Sequence, residues 1–174
     1  MGTSARSAGF FLSLCIAAAL TAPAAAAAAD EKPHKPYAVW VVGEGEKNGH
    51  PIKVRWRDHM PDAEFKAAHP WCVEITWRFQ HDASGNVTRE ETERASDLDL
   101  MLEQEIEDPE TATEVAGFSD NEHRVWIYYA TDRYKIEAAL DTMKRDDATL
   151  PVSYETHEDA AWQGLQLVLG TVKE

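Results

Sequence analysis

The chain is poor in basic residues, since its 174 residues include only 17 lysines and arginines against 31 aspartates and glutamates. The formal charge of −14 argues against two classes of partner, the phosphate backbone of nucleic acids and anionic membrane surfaces. Long apolar runs are also lacking after residue 29, where no stretch approaches the roughly 18 residues of a membrane-spanning helix. The sequence therefore predicts no nucleic-acid partner and no membrane span.

The first 29 residues have the pattern of a signal peptide. Arg6 precedes an apolar run at 10–20 (FFLSLCIAAAL), and small residues follow at 24–29. We expect cleavage before Asp30, although the alanine run permits neighbouring positions. The protein is therefore predicted to be exported, to the periplasm or outside the cell.

The chain has only two cysteines, Cys15 and Cys72. Removal of residues 1–29 takes Cys15 away and leaves Cys72 alone. No intramolecular disulfide is then possible, and we predict that Cys72 is a buried strand residue. Residues 30–36 (DEKPHKP) are polar and contain two prolines, which is typical of a flexible lead-in. Residues 37–174 are long enough to bury a core and are predicted to form a single domain.

Alternation of apolar and polar residues predicts the strands. It is most regular at 71–79 (WCVEITWRF), where every second residue is apolar. Asn48–Gly49 separates two β-rich segments, 37–43 and 51–57, which is a strong signal for a hairpin. Further strands are predicted at 113–118, 123–130 and 152–156.

Helical periodicity and capping signals predict three longer helices. One begins at Thr88, with Glu91 at capping-box spacing, and ends before Asp108. The others are expected at 133–144 and 162–169. From Trp71 onward this order predicts the α+β class, as a ferredoxin-like βαββαβ sandwich with an added N-terminal β-hairpin and a C-terminal helix. We expect two helices on one face of the sheet and a face without helices on the other, with its cover by the hairpin or the last helix left open.

Cationic and aromatic residues on the strands form the candidate binding surface. If the strands are neighbours, these side chains meet on the face without helices, where they suit a small anionic ligand or a protein partner. Cross-strand ion pairs with Glu74 and other acids are the structural alternative. The candidate residues are Arg55, Arg57, Arg78, Arg124, Trp126 and Tyr128.

The segment 90–114 holds eleven acidic residues and a single base, Arg94. We interpret it as a solvated helix face, with docking of a basic partner or a loose cation site as alternatives. Seven histidines invite a metal hypothesis, in which His59, His69 and Cys72 form the best trio and 157–159 a reserve. Neither the paired spacing of structural zinc nor a catalytic motif is present, so we predict no catalytic residues, no metal ligands and no cofactor.

Four segments carry a resemblance to a known family. They are 69–75 (HPWCVEI), 96–99 (SDLD), 114–118 (EVAGF) and 123–130 (HRVWIYYA). Together they resemble the bacterial family called domain of unknown function 695 (DUF695), over most of the chain from Tyr37. The resemblance implies an α+β sandwich without established catalytic residues, and similarity of some members to the inhibitor domain of ribonuclease E. The predicted signal peptide distinguishes this sequence from most members of the family. An exported protein would not meet an intracellular ribonuclease.

The sequence thus favours an exported protein that is a non-catalytic module for binding a protein or a small anionic ligand. Two alternatives remain. One is a metal-assisted hydrolase that uses His59, His69 and Cys72, and the other is a structural protein of the cell envelope.

Overall fold

The computed structural model describes residues 39–58 and 60–172, and these form one sheet with flanking helices. The strands are β1 (Trp40–Lys47), β2 (His50–Arg57), β3 (Trp71–Arg78), β4 (Ala112–Ser119), β5 (His123–Ala130) and β6 (Val152–Glu158). The helices are α1 (Ala63–Ala68), α2 (Arg89–Glu105), α3 (Arg133–Asp146) and α4 (Gln163–Leu169). The predicted signal peptide and lead-in, together with His59, lie outside the described residues. In the described part of the chain, no helix has the length and apolar character needed to cross a membrane.

The six strands are ordered β1-β2-β4-β5-β3-β6, and every neighbouring pair is antiparallel. The mixed α+β class is therefore confirmed. Between β1 and β2 the chain turns at Asn48 and Gly49, which have φ angles of 53° and 80°. These left-handed conformations are the ones that a tight two-residue connection requires.

The first face of the sheet packs against α2 and α3. Val73, Ile75 and Trp77 alternate along β3, and all three are completely buried on this face, as the period of two predicts. Leu98 of α2 and Leu140 of α3 belong to the same core cluster. Burial of large apolar side chains of this kind stabilises the fold by about 1.5 to 3 kcal/mol each.

Helix α2 begins with the predicted cap. The Thr88 hydroxyl accepts a hydrogen bond of 3.1 Å from the backbone N–H of Glu91. The Glu91 side chain turns inward, where its carboxylate accepts a 2.9 Å hydrogen bond from Trp77 Nε1. The cap thus fixes the start of α2 against the middle of the sheet.

The second face of the sheet is also covered by helix, so the expectation of a face without helices is wrong. Trp162 and Val168, at the start and in the last turn of α4, are buried against this face together with Ile127 and Tyr129 of β5. The Tyr129 ring stacks on the Trp162 ring, with 3.9 Å between centroids. The physical reason is that β5 is apolar on both sides, and a strand of that kind needs a layer on each face. Cys72 is buried on this face as predicted.

Candidate functional site

Strand register brings two of the predicted cations to the same side of the sheet. Arg55 on β2 lies opposite Gly117 on β4, and Gly117 lies opposite Trp126 on β5. Directly opposed residues share a face, so Arg55 and Trp126 both project toward α2. Arg124 precedes Trp126 by two residues and therefore projects to that side as well.

Asp99 of α2 is the point where these side chains meet. Its carboxylate accepts hydrogen bonds from Arg55 Nη2 at 3.1 Å, from Arg124 Nη2 and from Trp126 Nε1. Arg55 Nη2 also donates to Glu114 Oε1 at 2.7 Å. We refer to Asp99, Glu114, Arg55, Arg124 and Trp126 as the Asp99 network.

A β-bulge in β4 places Glu114 in the Asp99 network. Glu114 lies opposite Tyr128 on β5, but regular pairing resumes only at Ala116, so Val115 is an extra residue. The bulge shifts the alternation of β4 by one position. Glu114 and Gly117 therefore both face α2, although a regular strand would send them to opposite faces.

Burial controls the electrostatics of the Asp99 network. It raises the pKa of Glu114 to about 7, although the neighbouring Arg55 acts in the opposite direction. Burial also lowers the pKa of Arg124 more than Asp99 raises it, and it raises the pKa of Tyr128 well above its usual value. For Arg55, burial lowers the pKa, but Glu114 and Asp99 outweigh it and the net shift is upward.

Arg57 takes part in a separate, closed ion pair. Its Nη2 lies 3.2 Å from Glu107 Oε1, and its Nε donates to the Glu114 carbonyl oxygen at 2.9 Å. The guanidinium also stands 4.0 Å from the centroid of the Trp40 ring. The side chains of Arg57 and Glu107 are only 11% and 4% exposed, so this pair joins β1, β2 and β4 and is not open to a ligand.

The six candidate residues do not form one open surface, because Arg78 lies on the other face of the sheet and Trp126 and Tyr128 are buried. Arg78 is exposed and directly follows Trp77, whose side chain is buried beneath α2 and α3. Successive residues of a strand project to opposite faces, so Arg78 projects from the face away from these two helices. Trp126 and Tyr128 are each 1% exposed and belong to the core beneath the helices. The aromatic rings are therefore packing residues, and only the Trp126 ring nitrogen takes part in the polar network.

A groove of about 310 Å³ lies beside the Asp99 network. Its polar lining combines three cations, Lys53, Arg55 and Arg124, with the hydroxyl-bearing residues Thr92 and Ser119. Val42, Val54, Gly117, Phe118 and Val125 complete the lining. Ammonium, guanidinium and hydroxyl groups around a small concave space are the donors that bind carboxylate or phosphate oxygens.

Lys53 supplies a cation that is not used by the fold. Within residues 39–58 and 60–172 its exposed side chain has no ion-pair partner, although Glu44 lies opposite it in the β1–β2 register. Opposite Arg55, the wall of the groove is bare backbone at Gly117, where an added Cβ would lie 2.7 Å from the Val125 carbonyl oxygen. A ligand in the groove would therefore meet one unpaired cation beside two arginines held by Asp99.

Comparison with family models identifies the chain. The model of the family described as "Family of unknown function (DUF695)" matches residues 38–167. The chain belongs to the DUF695 family. Comparison with curated proteins and with solved structures gives no match. The predicted family resemblance is thus confirmed, and the chemistry of this DUF695 domain has to be argued from its own side chains.

Sequence reasoning overlooked the acidic half of the site in this DUF695 domain. Asp99 directly follows Leu98 and comes four residues after Ala95, and both of these residues are buried. The helical period therefore places Asp99 at the border of the buried stripe, a signal that was available in the sequence. Ser119 reaches the groove through the register of β4, which the sequence pattern does not reveal.

The acid-rich segment 90–114 of this DUF695 domain is only partly a solvated face. Glu91 and Glu114 are 5% and 8% exposed, and each carboxylate accepts a hydrogen bond from a neighbouring strand. Glu107 accepts hydrogen bonds from the Thr113 hydroxyl at 2.9 Å and from the Glu114 N–H at 2.7 Å. Apart from Asp99, the remaining acids of α2 are exposed, as expected for a solvated helix.

The described residues do not assemble the trio His59, His69 and Cys72, on which the alternative of a metal-assisted hydrolase depends. His59 lies outside them, and His69 is buried with its ring stacked on Phe65. Both ring nitrogens of His69 contact backbone oxygens, at 2.9 Å from Phe65 and 3.1 Å from Pro109. The backbone thus occupies the nitrogens that a metal bound by His69 and Cys72 would need.

Proposed function

We propose that this DUF695 domain is a non-catalytic module that binds a small oxyanion, either a phosphate or a carboxylate, in the groove of Lys53, Arg55 and Arg124. The observation that carries the proposal is the unpaired Lys53 beside two guanidinium groups that Asp99 holds in place. A preorganised site loses less conformational entropy on binding than a mobile one.

The charge around the groove favours an anion in spite of the acidic composition. Lys53, Arg55 and Arg124 supply three positive charges, whereas Asp99 and Glu114 are the acids that contact them. Because burial raises the pKa of Glu114 to about 7, this carboxyl is partly protonated at neutral pH. The residues that line the groove include three cations and no acid, although Glu44 lies opposite Lys53 in the β1–β2 register, so an anion in the groove would contact positive groups.

A small ligand fits this site better than a protein partner. Interfaces between proteins take most of their binding energy from accessible aromatic and arginine side chains. Here Trp126 and Tyr128 are buried, and Arg57 is closed by Glu107. The accessible part of the site is a narrow cationic groove, which suits an oxyanion of a few atoms.

Replacing Lys53 with glutamate tests the groove. We expect K53E to weaken the binding of inorganic phosphate, or of succinate, by at least about tenfold, because a charge-assisted contact is lost and a repulsive charge is added. Isothermal titration calorimetry at low ionic strength measures both anions, and the one that binds more tightly identifies the ligand class.

The matched control is K135E, which makes the same charge change at an exposed position of α3 outside the groove. We expect K135E to bind like the wild type. The proposal is contradicted if neither anion binds the wild-type protein, or if both variants weaken binding equally.

We also propose that the protein is exported, on the basis of the signal-peptide pattern at residues 1–29. When the full chain is produced in a Gram-negative host, mass spectrometry of the periplasmic protein should find an N-terminus at or just before Asp30. L14R breaks the apolar run and should leave an uncleaved cytoplasmic precursor. S7R adds charge to the basic start and should preserve processing. A wild-type chain that stays uncleaved in the cytoplasm would contradict export.

We further infer that β3 to β6, with α2 and α3, form a ferredoxin-like unit preceded by a β-hairpin. The element order β3-α2-β4-β5-α3-β6 and the pairing order β4-β5-β3-β6 support this description. Antiparallel pairing of β1 with β2 across Asn48 and Gly49 supports the hairpin. The hairpin then supplies Lys53 and Arg55, so the groove lies where it joins the ferredoxin-like unit.

A further inference from the structure

Three potential metal ligands lie together at the edge of the sheet, outside the groove. Cys72 and Glu74 are two residues apart on β3 and so project from the same face, and His157 on β6 lies directly opposite Cys72. The Cys72 sulfur, a Glu74 carboxylate oxygen and a His157 ring nitrogen all lie within 4.8 Å of one another. None of the three belongs to the Asp99 network.

We propose that Cys72, Glu74 and His157 bind a divalent transition-metal ion of the zinc type. One sulfur, one nitrogen and one oxygen ligand form a set of intermediate softness, which suits Zn²⁺ and Co²⁺ rather than Mg²⁺ or Ca²⁺. Three protein ligands leave a fourth tetrahedral position for water. The site is separate from the anion groove, and it shares only Cys72 with the His59, His69 and Cys72 trio and only His157 with the reserve at 157–159.

The geometry needs only a small adjustment to hold a metal ion. Tetrahedral zinc keeps its ligand atoms roughly 3.3 to 3.8 Å apart, so atoms that lie within 4.8 Å of one another need to approach by at most about 1.5 Å. His157 is exposed and lies on the edge strand β6, so its ring can move without disturbing the core. Within the described residues no ion pair links His157 to Glu74, and nothing there has to be broken.

The surroundings of Cys72 favour a bound cation of this size. Its sulfur is buried beneath α4, where an added Cβ on Gly164 would lie 3.4 Å away. Cys72 is completely buried, whereas His157 is exposed on the edge strand. Binding would displace the thiol proton to solvent, and the thiolate, the Glu74 carboxylate and a dication would together be neutral.

A group of hydrogen bonds between Tyr129, Asp159 and the start of α4 lies next to Cys72. The Tyr129 hydroxyl, which is close to the Cys72 sulfur, donates to Asp159 Oδ2 at 2.6 Å. That carboxylate also accepts hydrogen bonds from the backbone of Gln163 at 2.9 Å and of Gly164 at 2.8 Å. Such contacts fix the strand ends and α4 around the sulfur, as outer groups do in metal sites.

Cobalt binding tests the proposal. Reduced, metal-free full-length protein is titrated with Co²⁺, and we expect one equivalent to bind with a thiolate-to-cobalt charge-transfer band in the near ultraviolet. H157Q should weaken binding at least about tenfold, since outer-shell changes alone cost 10- to 100-fold in known sites. C72S should abolish the band, and because C72S can fail to fold, H157Q carries the test on its own.

Two controls make the result specific. H50Q alters an exposed histidine at the start of β2, and K53E alters the anion groove, and both should bind Co²⁺ like the wild type. Thermal unfolding of the metal-free proteins checks that H157Q is folded. The proposal is overturned if the wild type gives no charge-transfer band at one equivalent, or if H157Q binds Co²⁺ as tightly as the wild type.

Discussion

Replacing Asp99 with alanine is expected to lower the free energy of unfolding by about 3 kcal/mol. The Asp99 carboxylate accepts hydrogen bonds from Arg55, Arg124 and Trp126, so its removal leaves Arg124 and the Trp126 ring nitrogen without this acceptor and Arg55 with Glu114 alone. Deleting one partner of a buried ion pair costs roughly 3 to 5 kcal/mol, and the 22% exposure of the Asp99 side chain places this case at the lower end.

Urea denaturation of D99A and wild type measures the effect. D97A is the matched control, because Asp97 is an exposed acid on the same helix, and its loss should change stability by less than about 0.5 kcal/mol. D99N should fall between the two, since the amide oxygen still accepts hydrogen bonds. If D99A were as stable as D97A, the Asp99 network would not organise the site as we describe.

The second large effect is a loss of stability as the pH rises, caused by Glu114. Burial raises the pKa of Glu114 from its ordinary value of 4.5 to about 7, so between these values the folded chain keeps a proton that the unfolded chain releases. Raising the pH through this window therefore favours unfolding, and above pH 7 the loss is complete. Its size is on the order of 3.5 kcal/mol, because the two pKa values differ by about 2.5 and each pKa unit corresponds to about 1.4 kcal/mol.

Glutamine at position 114 isolates this contribution. E114Q cannot titrate, so the difference in unfolding free energy between E114Q and wild type should grow between pH 5 and pH 8 in favour of the variant. The charges that face Glu114 are Arg55 on β2, Asp99 on α2 and Glu107, and all of them are retained in the variant. E110Q, at an exposed position, should follow the wild type. Parallel pH profiles for E114Q and wild type would contradict the raised pKa.

Local sequence patterns predicted the elements well where a single physical rule dominates. The alternation of Val73, Ile75 and Trp77 predicted both the β3 strand and its buried face. Thr88 and Glu91 predicted the start of α2 to the residue, because a capping hydroxyl needs a backbone N–H three positions later. Rules of this kind depend on near neighbours in the chain, which the sequence displays directly.

The candidate site was predictable only in part. Arg55 and Arg124 were singled out as cations on polar strand faces, and the structure brings them together on Asp99. The direction of the Glu114 side chain depends on the bulge at Val115. The alternation of apolar and polar residues in the sequence does not reveal such a bulge. Trp126 was assigned to the open face, but it lies on the face that α2 and α3 cover, because alternation along β5 does not show which of its two apolar sides packs against those helices.

By itself, the sequence determined the family, the mixed α+β class, the principal strands and the burial of Cys72. Only the tertiary structure decided which side of the sheet each helix covers, and hence which charged side chains meet. Alternation tells which residues of one strand share a face, but it carries no information on the register between strands. Lys53, Arg55, Arg124 and Asp99 are far apart in the chain, and their meeting depends on register and on the packing of α2.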